Sequence, residues 1–150
     1  MTVEKTSPDS ILKLKFKTDA GLGSRANIGM IVLSSDQTLE LEFRTLLDFE
    51  GVAFYHARIP NEMEITEGTL AQMEAELPIT ASLLPASFNF DVIGYGCTSG
   101  TTVIGEDQVT KAIRTAHPGI LVTNPLTACK AALSALSLKR IAFLTPYEPA

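Results

Sequence analysis

The chain has 150 residues, of which 45% are hydrophobic and 19% charged, and its formal net charge is −5. This profile is typical of a globular protein with one domain and a real core, and it excludes disordered and fibrous classes. The mild acidity, with basic residues clustered only at 13–17, argues against a nucleic-acid partner.

Cysteine content and the absence of targeting signals predict a cytoplasmic protein that does not associate with a membrane. No apolar run in the sequence approaches the length needed to cross a bilayer, and the N-terminus lacks the apolar centre of a signal peptide. Cys97 and Cys129 are far apart, so reduced thiols are expected. Two histidines, no CxxC pair and no histidine–carboxylate pair at helical spacing give no support for a metal.

The first elements begin after a polar segment, residues 1–26, which is predicted to be an extension outside the core. The apolar run NIGMIVL, residues 27–33, predicts a strand buried on both faces. Asp36 can then cap a helix that ends at Gly51, and residues 52–59 predict a second strand. The apolar stripe of the helix consists of Leu39, Phe43, Leu46 and Leu47.

The middle of the chain continues the alternation. Thr66 begins a second helix, which Pro78 is expected to interrupt. FDVIGYG, residues 90–96, predicts a third strand, and residues 106–116 predict a helix with Val109 and Ile113 four apart. The inner face of the second helix consists of Leu70, Met73 and Leu77.

The last elements follow a Pro-Gly break at 118–119. Residues 120–123 predict a fourth strand, and a helix follows with Asn124 as its cap and Pro125 in its first turn. Residues 140–147, RIAFLTPY, predict a fifth strand.

Strands that alternate with helices through short loops predict an α/β layer fold, with a parallel sheet and helices on both faces. Ligands bind such sheets at the carboxyl ends of the strands. The polar turns SSD, GCTSG, TN and TPYE all follow predicted strands, so we expect them at one edge. This convergence is the main physical indication of a site.

Two segments share a layout, which suggests an internal repeat. Residues 27–36 and 140–149 both run from a polar or basic residue through Ile and apolar residues into a polar turn. We therefore predict a first domain at 27–138 and the start of a second, similar domain at 139–150.

Cys97 is a candidate nucleophile or carbon base between two glycines. A thiol becomes reactive where a helix N-terminus or a nest of N–H groups depresses its pKa. Gly96 and Gly100 permit a tight turn with free N–H groups. Thr98 and Ser99 add hydroxyl donors suited to a carboxylate or enolate oxygen. A buried, inert cysteine explains the spacing equally well, because free cysteine is among the most buried residue types.

Several other residues have competing interpretations. Capping alone explains Asp36. Cys129 shares an apolar helical stripe with leucines, which favours core packing over chemistry. His56 and His117 lack a partner motif, so we expect structural or surface roles and no Ser/His/Asp triad. Tyr147, just past a strand end, is a surface aromatic or reaches the site with its hydroxyl.

Four joint motifs resemble the aspartate/glutamate racemase superfamily, in its maleate isomerase and arylmalonate decarboxylase branch. Within that branch the chain is most similar to the ectoine-utilisation members. The resemblance runs from about Asn27 to the end. Its motifs are IGMIVLSSDQTLELEFR, RIPNEMEITEGTLAQME, FDVIGYGCTSGTTVIG and RIAFLTPY.

The resemblance implies the first half of a pseudo-symmetric two-domain architecture, in which each half contributes a cysteine to opposite sides of the substrate carbon. Cys97 matches the first-half cysteine. Racemases of this type pass a proton across the α-carbon. In maleate isomerases a thiolate adds to the double bond, rotation follows, and elimination gives the trans isomer, without a cofactor. Thr98, Ser99 and Tyr147 match positions that bind the substrate carboxylate or enolate.

The chain also departs from parts of this branch. Maleate isomerases usually have Asn at the position of Asp36, whereas Asp is similar to the racemases and ectoine-utilisation members and would orient the substrate or thiol. Arylmalonate decarboxylases have Gly at the position of Cys97, which disfavours simple decarboxylation. Family members extend well beyond residue 150, so the chain is expected to be an N-terminal portion without the second cysteine.

The leading hypothesis is therefore a cofactor-independent, cysteine-based isomerase or racemase of a small carboxylate. The alternative is a non-catalytic accessory protein of ectoine utilisation that binds a carboxylate or an amino-acid derivative. A thiol hydrolase ranks last, because neither histidine has the context of a base for Cys97. The sequence leaves open whether the protein forms a homo-oligomer.

Overall fold

The computed structural model describes residues 14–64 and 66–144. In this part of the chain, strands and helices alternate as the sequence predicts, apart from one additional helix and the lack of a strand at residues 140–144. The elements are β1 (Ala26–Leu33), α1 (Leu39–Leu46), β2 (Val52–Ile59), α2 (Glu67–Ser82), β3 (Val92–Tyr95), α3 (Thr98–Ile104), α4 (Glu106–Ala116), β4 (Leu121–Thr123) and α5 (Pro125–Ala135).

The strands form one parallel sheet in the order β2-β1-β3-β4. β1 pairs with β2 along all its length, from Ala26 opposite Val52 to Leu33 opposite Ile59. β1 also pairs with β3, so it lies inside the sheet, which explains its continuous apolar run. The predicted parallel α/β fold is confirmed.

Helices cover both faces of the sheet, as predicted. On one face, buried side chains of β1, β2 and β3 pack against α2, α3 and α4. On the other face, the ring of Phe43 from α1 stacks on Phe54 of β2, with 5.6 Å between the ring centroids. Burial of a large apolar side chain is worth about 1.5–3 kcal/mol, so the first face carries most of the hydrophobic stabilisation. Its largest buried apolar residues are Ile31, Ile59, Leu77, Leu84, Ile93, Tyr95, Val109 and Ile113.

Two predicted helix starts are confirmed in detail. The Thr66 hydroxyl accepts a hydrogen bond from the Thr69 N–H, and the Thr69 hydroxyl in turn accepts one from the Thr66 N–H. At α5, the Asn124 side chain accepts from the Thr127 N–H, and Pro125 occupies the first turn. Both arrangements satisfy N–H groups that a helix start otherwise leaves unpaired.

Pro78 does not interrupt α2, contrary to the expectation from sequence. The helix runs through Pro78 to Ser82. A proline removes one intrahelical hydrogen bond, but tertiary packing outweighs this loss here. Leu77, Thr80 and Ala81 on either side of the proline are buried against the core.

The expected core role of Cys129 is wrong. Cys129 is exposed, and no residue of α5 is buried. The helix follows β4, which is one of the two edge strands of the sheet in the described residues. Leu126 and Leu133 of its apolar stripe are only half-buried. In α1 the predicted stripe is also incomplete, because Leu46 is 67% exposed.

The predicted fifth strand does not form in the part of it that the structure describes. Residues 140–144 have no strand structure, and residues 145–147 lie outside the described residues. The assignment of 139–150 to a second domain stays a prediction. None of the described helices is long and apolar enough to span a membrane.

Candidate functional site

Three loops at the carboxyl edge of the sheet surround a cavity of about 270 Å³. They follow β1, β2 and β3, so the expected convergence of polar turns occurs for these strands. The apolar side chains of the lining are Leu33, Met63, Leu70 and Met73. The polar lining consists of Ser35, Asn61, Glu62, Glu64, Thr69, Cys97, Thr98 and Ser99.

Cys97 is the N-cap residue of α3, directly after β3. Its Sγ accepts a hydrogen bond from the Gly100 N–H at 3.2 Å, and the residue is only 6% exposed. The Cys97 carbonyl oxygen is held by Thr101, whose hydroxyl donates to it at 2.6 Å. The thiol is therefore fixed by the first turn of the helix while it lines the cavity.

The glycines beside Cys97 serve close approach rather than a left-handed turn. The described glycines with positive φ do not include Gly96 or Gly100. A Cβ at Gly96 would lie 3.0 Å from Leu39 Cδ2. A Cβ at Gly100 would lie 2.5 Å from the Tyr95 hydroxyl and 3.0 Å from Cys97 Sγ. The sequence interpretation of GCTSG as a glycine-permitted turn is corrected to a tightly packed helix start.

Tyr95 is a residue of this site that the sequence reasoning missed. It is fully buried, and its hydroxyl donates to Met73 Sδ at 3.7 Å. Burial, followed by the neighbouring Cys97, raises the pKa of Tyr95 far above its ordinary value, so the hydroxyl keeps its proton. Period-two spacing from Cys97 was the available signal, because residues two apart in an extended segment share a face.

Asn61 was also missed, although it belongs to a quoted motif. Its Oδ1 accepts from the Ser34 hydroxyl at 2.8 Å and from the Ser35 N–H at 3.1 Å. Its Nδ2 donates to the Ser35 hydroxyl at 3.0 Å. One amide therefore joins the loop after β2 to the loop after β1, and its position directly past a strand end was the available signal.

Arg58 fixes the same loop from the other side. Its Nη1 donates to the carbonyl oxygens of Ser34 and Asp36, each at 2.9 Å. Its Nε donates to Glu40 Oε1 at 2.8 Å, and this hydrogen bond holds the pKa of Glu40 below its usual value. The planar guanidinium suits several acceptors at once.

Asp36 lies two residues before Thr38, the N-cap residue of α1. Its Oδ1 accepts hydrogen bonds from the N–H groups of Leu39 and Thr38, at 2.8 and 2.9 Å. These two bonds lower the pKa of the Asp36 carboxyl. Asp36 does not line the cavity, whereas its neighbour Ser35 does. Asp36 thus accepts from the N–H groups where α1 begins, but the N-cap residue of this helix is Thr38, so the predicted helix start is two residues early. A role for Asp36 toward substrate stays a prediction.

Of the other predicted site residues, two line the cavity and one lies outside the described part of the chain. Thr98 and Ser99 line the cavity beside Cys97. Tyr147 lies outside the described residues. The roles of Cys97, Thr98, Ser99 and Tyr147 toward a substrate stay predictions.

The two histidines have structural surroundings and do not line the cavity. His56 Nε2 lies 3.1 Å from Glu40 Oε1, on the sheet face that carries α1. His117 is buried, with its Nε2 2.9 Å from the Ala81 carbonyl oxygen and its ring edge-on to Phe90. The structural expectation for both is confirmed, and Cys97 has no histidine base among the residues that line its cavity.

The electrostatics of the cavity are set by neutral donors and two acids. Its described lining contains no Lys, Arg or His, and Glu62 and Glu64 are its charged residues. A carboxylate bound here would be held by hydroxyl, amide and N–H groups rather than by a cation.

No protein-family model matches the sequence, and no curated protein matches it. Solved structures do resemble the fold. The maleate isomerase Iso from Pseudomonas putida S16 is 24% identical with a TM-score of 0.66, over 82% of this chain and 54% of that chain. A cysteine-to-alanine variant of Iso, solved with maleate, is 25% identical with a TM-score of 0.65, over 83% of this chain and 54% of that chain.

A third similar structure is the Nocardia farcinica maleate cis–trans isomerase bound to TRIS. It is 25% identical with a TM-score of 0.55, over 75% of this chain and 49% of that chain. The chain therefore has the α/β fold found in these maleate isomerases, and it spans about half of their length.

Proposed function

We propose that the chain forms the first half of a cofactor-independent, cysteine-based isomerase or racemase that acts on a small carboxylate. The observation that carries this proposal is the position of Cys97. Its thiol lines a cavity at the carboxyl edge of the sheet, between Thr98, Ser99, Ser35 and Asn61. The likeness to maleate isomerases supports the reaction class, because Iso was solved with maleate in a variant that lacks a cysteine.

In the isomerase form of the reaction, the Cys97 thiolate adds to one alkene carbon and forms a C–S bond. The alkene electron pair moves onto the adjacent carboxylate as an enolate, which hydroxyl and N–H donors stabilise. Rotation about the resulting single bond precedes return of the electron pair, which reforms the alkene and breaks the C–S bond. The thiolate is regenerated, so neither an oxidant nor a cofactor is consumed.

In the racemase form, the Cys97 thiolate removes the α-proton of an amino acid or related carboxylate, and an acid on the opposite side returns a proton to the other face. Thr98 and Ser99, beside the thiol, would hold the carboxylate oxygens as negative charge develops there. Tyr147 and a second cysteine from the other half complete the proposed site, and Asp36 orients the loop that carries Ser35.

The finer part of the proposal is a role in ectoine utilisation, in the cytoplasm. It rests on the motif resemblance and on Asp36, where maleate isomerases usually have Asn. The two acids of the cavity lining, Glu62 and Glu64, fit a substrate with an amino group better than a dianion. An amino-acid derivative is therefore favoured over maleate.

The test is replacement of Cys97 by Ser in the complete protein, assayed for cis–trans isomerisation of maleate and for racemisation of amino acids and their N-acyl derivatives. We expect loss of at least about a thousandfold in kcat with substrate affinity retained, because the hydroxyl is a far weaker nucleophile at neutral pH. Cys129→Ser, at an exposed position, is the matched control and should keep full activity.

Retained turnover in the Cys97→Ser protein would contradict the proposed role of the thiol. The accessory-protein alternative makes a different prediction. In that case calorimetry would show a carboxylate bound stoichiometrically, with equal affinity in both variants and with no turnover by the parent protein.

A further inference from the structure

The side-chain amide of Asn61 makes all the hydrogen bonds that it can make within the protein. A side-chain amide has two acceptor sites on its oxygen and two N–H donors on its nitrogen. The oxygen accepts from the Ser34 hydroxyl at 2.8 Å and from the Ser35 N–H at 3.1 Å. The nitrogen donates to the Ser35 hydroxyl at 3.0 Å and to the Glu62 carbonyl oxygen at 3.2 Å. Asn61 therefore lines the cavity with no donor or acceptor left for a ligand.

Two backbone groups fix which way this amide points. The Ser35 N–H can only donate, so the amide atom that it contacts is the oxygen. The Glu62 carbonyl can only accept, so the amide atom that it contacts is the nitrogen. The amide nitrogen in turn can only donate, and the Ser35 hydroxyl oxygen is therefore the acceptor of their hydrogen bond.

This arrangement leaves the proton of the Ser35 hydroxyl for another acceptor. A serine hydroxyl has one O–H donor besides its acceptor sites, and no hydrogen bond in which Ser35 Oγ donates occurs among the described residues. Ser35 lines the same cavity as Cys97, and the pairing of β1 with β3 brings their two loops together. An O–H donor is therefore directed by the fold and is not consumed by it.

We propose that Ser35 is a further binding residue for the substrate carboxylate, and that Asn61 is the positioning residue that keeps the Ser35 hydroxyl proton turned toward the cavity. The inference rests on the proposed function, because it places a carboxylate beside Cys97. A hydrogen bond to a charged acceptor is stronger than one between neutral groups, so the oriented hydroxyl favours a carboxylate over a neutral group of the same shape.

The charges at the cavity make such a donor important. The described lining contains no Lys, Arg or His, whereas Glu62 and Glu64 carry negative charge that opposes a carboxylate. Thr98 and Ser99, to which the proposed function assigns the carboxylate, line the cavity from α3. Ser35 adds a donor from the loop after β1. Because a few directed donors replace a cation here, the loss of one of them should be measurable.

The experiment compares two reagents that alkylate Cys97 in the 150-residue chain. Iodoacetate carries a carboxylate next to its reacting carbon, and iodoacetamide carries a neutral amide of nearly the same shape. Cys129→Ser leaves Cys97 as the single thiol, because the sequence contains two cysteines. The ratio of the two rates at one pH reports recognition of the carboxylate, because a change in the thiolate fraction affects both reagents equally. We expect Ser35→Ala to lower the ratio of the iodoacetate rate to the iodoacetamide rate about tenfold.

Asn61→Ala tests the positioning role in a double-mutant cycle. Without the amide, the Ser35 hydroxyl is free to point elsewhere, so the ratio should fall about fivefold. In the Ser35→Ala background the same substitution should change the ratio less than about twofold, because Asn61 acts through Ser35. A full additional fall in that background would overturn the positioning role, and an unchanged ratio in folded Ser35→Ala would overturn the proposal as a whole.

Ser34→Ala is the matched control. The Ser34 hydroxyl also contacts the Asn61 amide, but Ser34 does not line the cavity, and the two backbone groups still orient the amide without it. The ratio should therefore stay at the parent value, and melting temperatures show that each variant is folded. An equal fall in Ser34→Ala would assign the effect to displacement of the loop and would overturn the proposal.

If Asn61→Ala does not fold, Asn61→Asp provides the second variant. A carboxylate only accepts, so the Ser35 hydroxyl turns to donate to it and leaves the cavity. The ratio should then fall more when Ser35 is present than in the Ser35→Ala background, where only the added charge acts. Equal falls in the two backgrounds would overturn the positioning role.

Alkylation needs no turnover, so its outcome is separate from that of the turnover assay. A ratio that falls as expected, together with an active Cys97→Ser enzyme, would reject the proposed function and leave the Ser35 donor standing. A Cys97 thiol that neither reagent alkylates would overturn the Ser35 proposal, because no carboxylate then fits beside the thiol.

Discussion

At the scale of single residues, Asp36 connects the loop after β1 to the helix that follows. Replacement by Ala removes the acceptor of the Thr38 and Leu39 N–H groups. We expect Asp36→Ala to lower the free energy of unfolding at pH 7 by about 1 kcal/mol, because two backbone N–H groups lose their charged acceptor. Urea denaturation followed by circular dichroism measures this value, and Asp48→Ala at an exposed position is the control.

The same contact gives a pH dependence with a defined sign. The folded-state pKa of Asp36 is lowered, so its stabilisation is present above the unfolded-state pKa of about 3.9 and is lost as pH falls through the folded-state pKa. The difference between parent and Asp36→Ala should therefore shrink in acid. A difference that stays constant from pH 7 to pH 2.5 would contradict the role of the ionised carboxylate.

Asp36→Asn separates folding from any action on substrate. Asn caps a helix about as well as Asp, so the variant should keep most of the stability at pH 7. In the complete protein, an unchanged kcat/KM for Asp36→Asn with an unchanged melting temperature would show that the carboxylate serves the loop alone. A fall in kcat/KM at full stability would give Asp36 the predicted role toward substrate or thiol.

The sequence located part of this site and missed the rest for a physical reason. Cys97 and its two hydroxyl neighbours are adjacent in the chain and follow a recognisable strand, so their shared place in the cavity was predictable. Asn61 and Tyr95 act through contacts across the fold. Ser34 and Asn61 are 27 residues apart, and only the pairing of β1 with β2 brings them together.

At the scale of the elements, α3 depends on a glycine where its first turn meets β3. Ala normally stabilises a helix by up to about 1 kcal/mol relative to Gly. At Gly100, however, a Cβ would lie 2.5 Å from the buried Tyr95 hydroxyl. We expect Gly100→Ala to destabilise the fold by about 1–3 kcal/mol, the usual loss for an overpacked core, in urea denaturation.

Gly68 provides the matched control for that substitution. It lies in the first turn of α2, and a Cβ there would meet nothing closer than the Thr66 hydroxyl at 3.8 Å. Gly68→Ala should be neutral or stabilising by less than about 1 kcal/mol. Equal effects at the two glycines would mean that helix propensity, and not the contact with Tyr95, decides the outcome.

Element boundaries were predictable where local signals and packing agree. β2 and α4 have their predicted limits, because a short apolar strand and an amphipathic helix each bury one set of residues. Pro78 misled the prediction because its neighbours Leu77 and Ala81 are buried and hold the helix together across it. α3 was predicted as a turn because its sequence, TSGTTVI, is rich in poor helix formers.

The attachment of α5 to α4 gives a further prediction at this scale. Glu106 accepts hydrogen bonds from Thr127 and Lys130, and the Lys130 contact is the main cause of the lowered pKa of Glu106. α5 has no buried residue and also contacts α3, so these polar contacts are one part of its attachment. We expect Glu106→Gln to speed amide exchange in α5 at constant pH, whereas Asp107→Asn, its neighbour in the first turn of α4, leaves it unchanged.

At the scale of the whole molecule, the location of the cavity at the sheet edge was predictable from the sequence, whereas the exposure of apolar residues was not. Parallel pairing places every strand end on one side, so the sequence alone indicated where a cavity would lie. Whether an apolar stripe is buried depends on what covers it. The apolar residues that follow α5 are exposed in the structure, and no local pattern distinguishes them from a core stripe; they are Leu136, Leu138, Ile141, Phe143 and Leu144.

This exposed apolar segment predicts self-association of the 150-residue chain. The exposed fractions are 53% for Ile141, 77% for Phe143 and 92% for Leu144. Clustered exposed apolar side chains favour association, so sedimentation velocity should show oligomers at about 10–100 μM. Phe143→Ser combined with Leu144→Ser should shift the chain toward monomer and lower the fluorescence of bound anilinonaphthalene sulfonate, with little change in melting temperature. Leu14→Ser with Phe16→Ser, at similarly exposed positions outside the sheet, is the control. A parent chain that stays monomeric across this range would contradict the prediction.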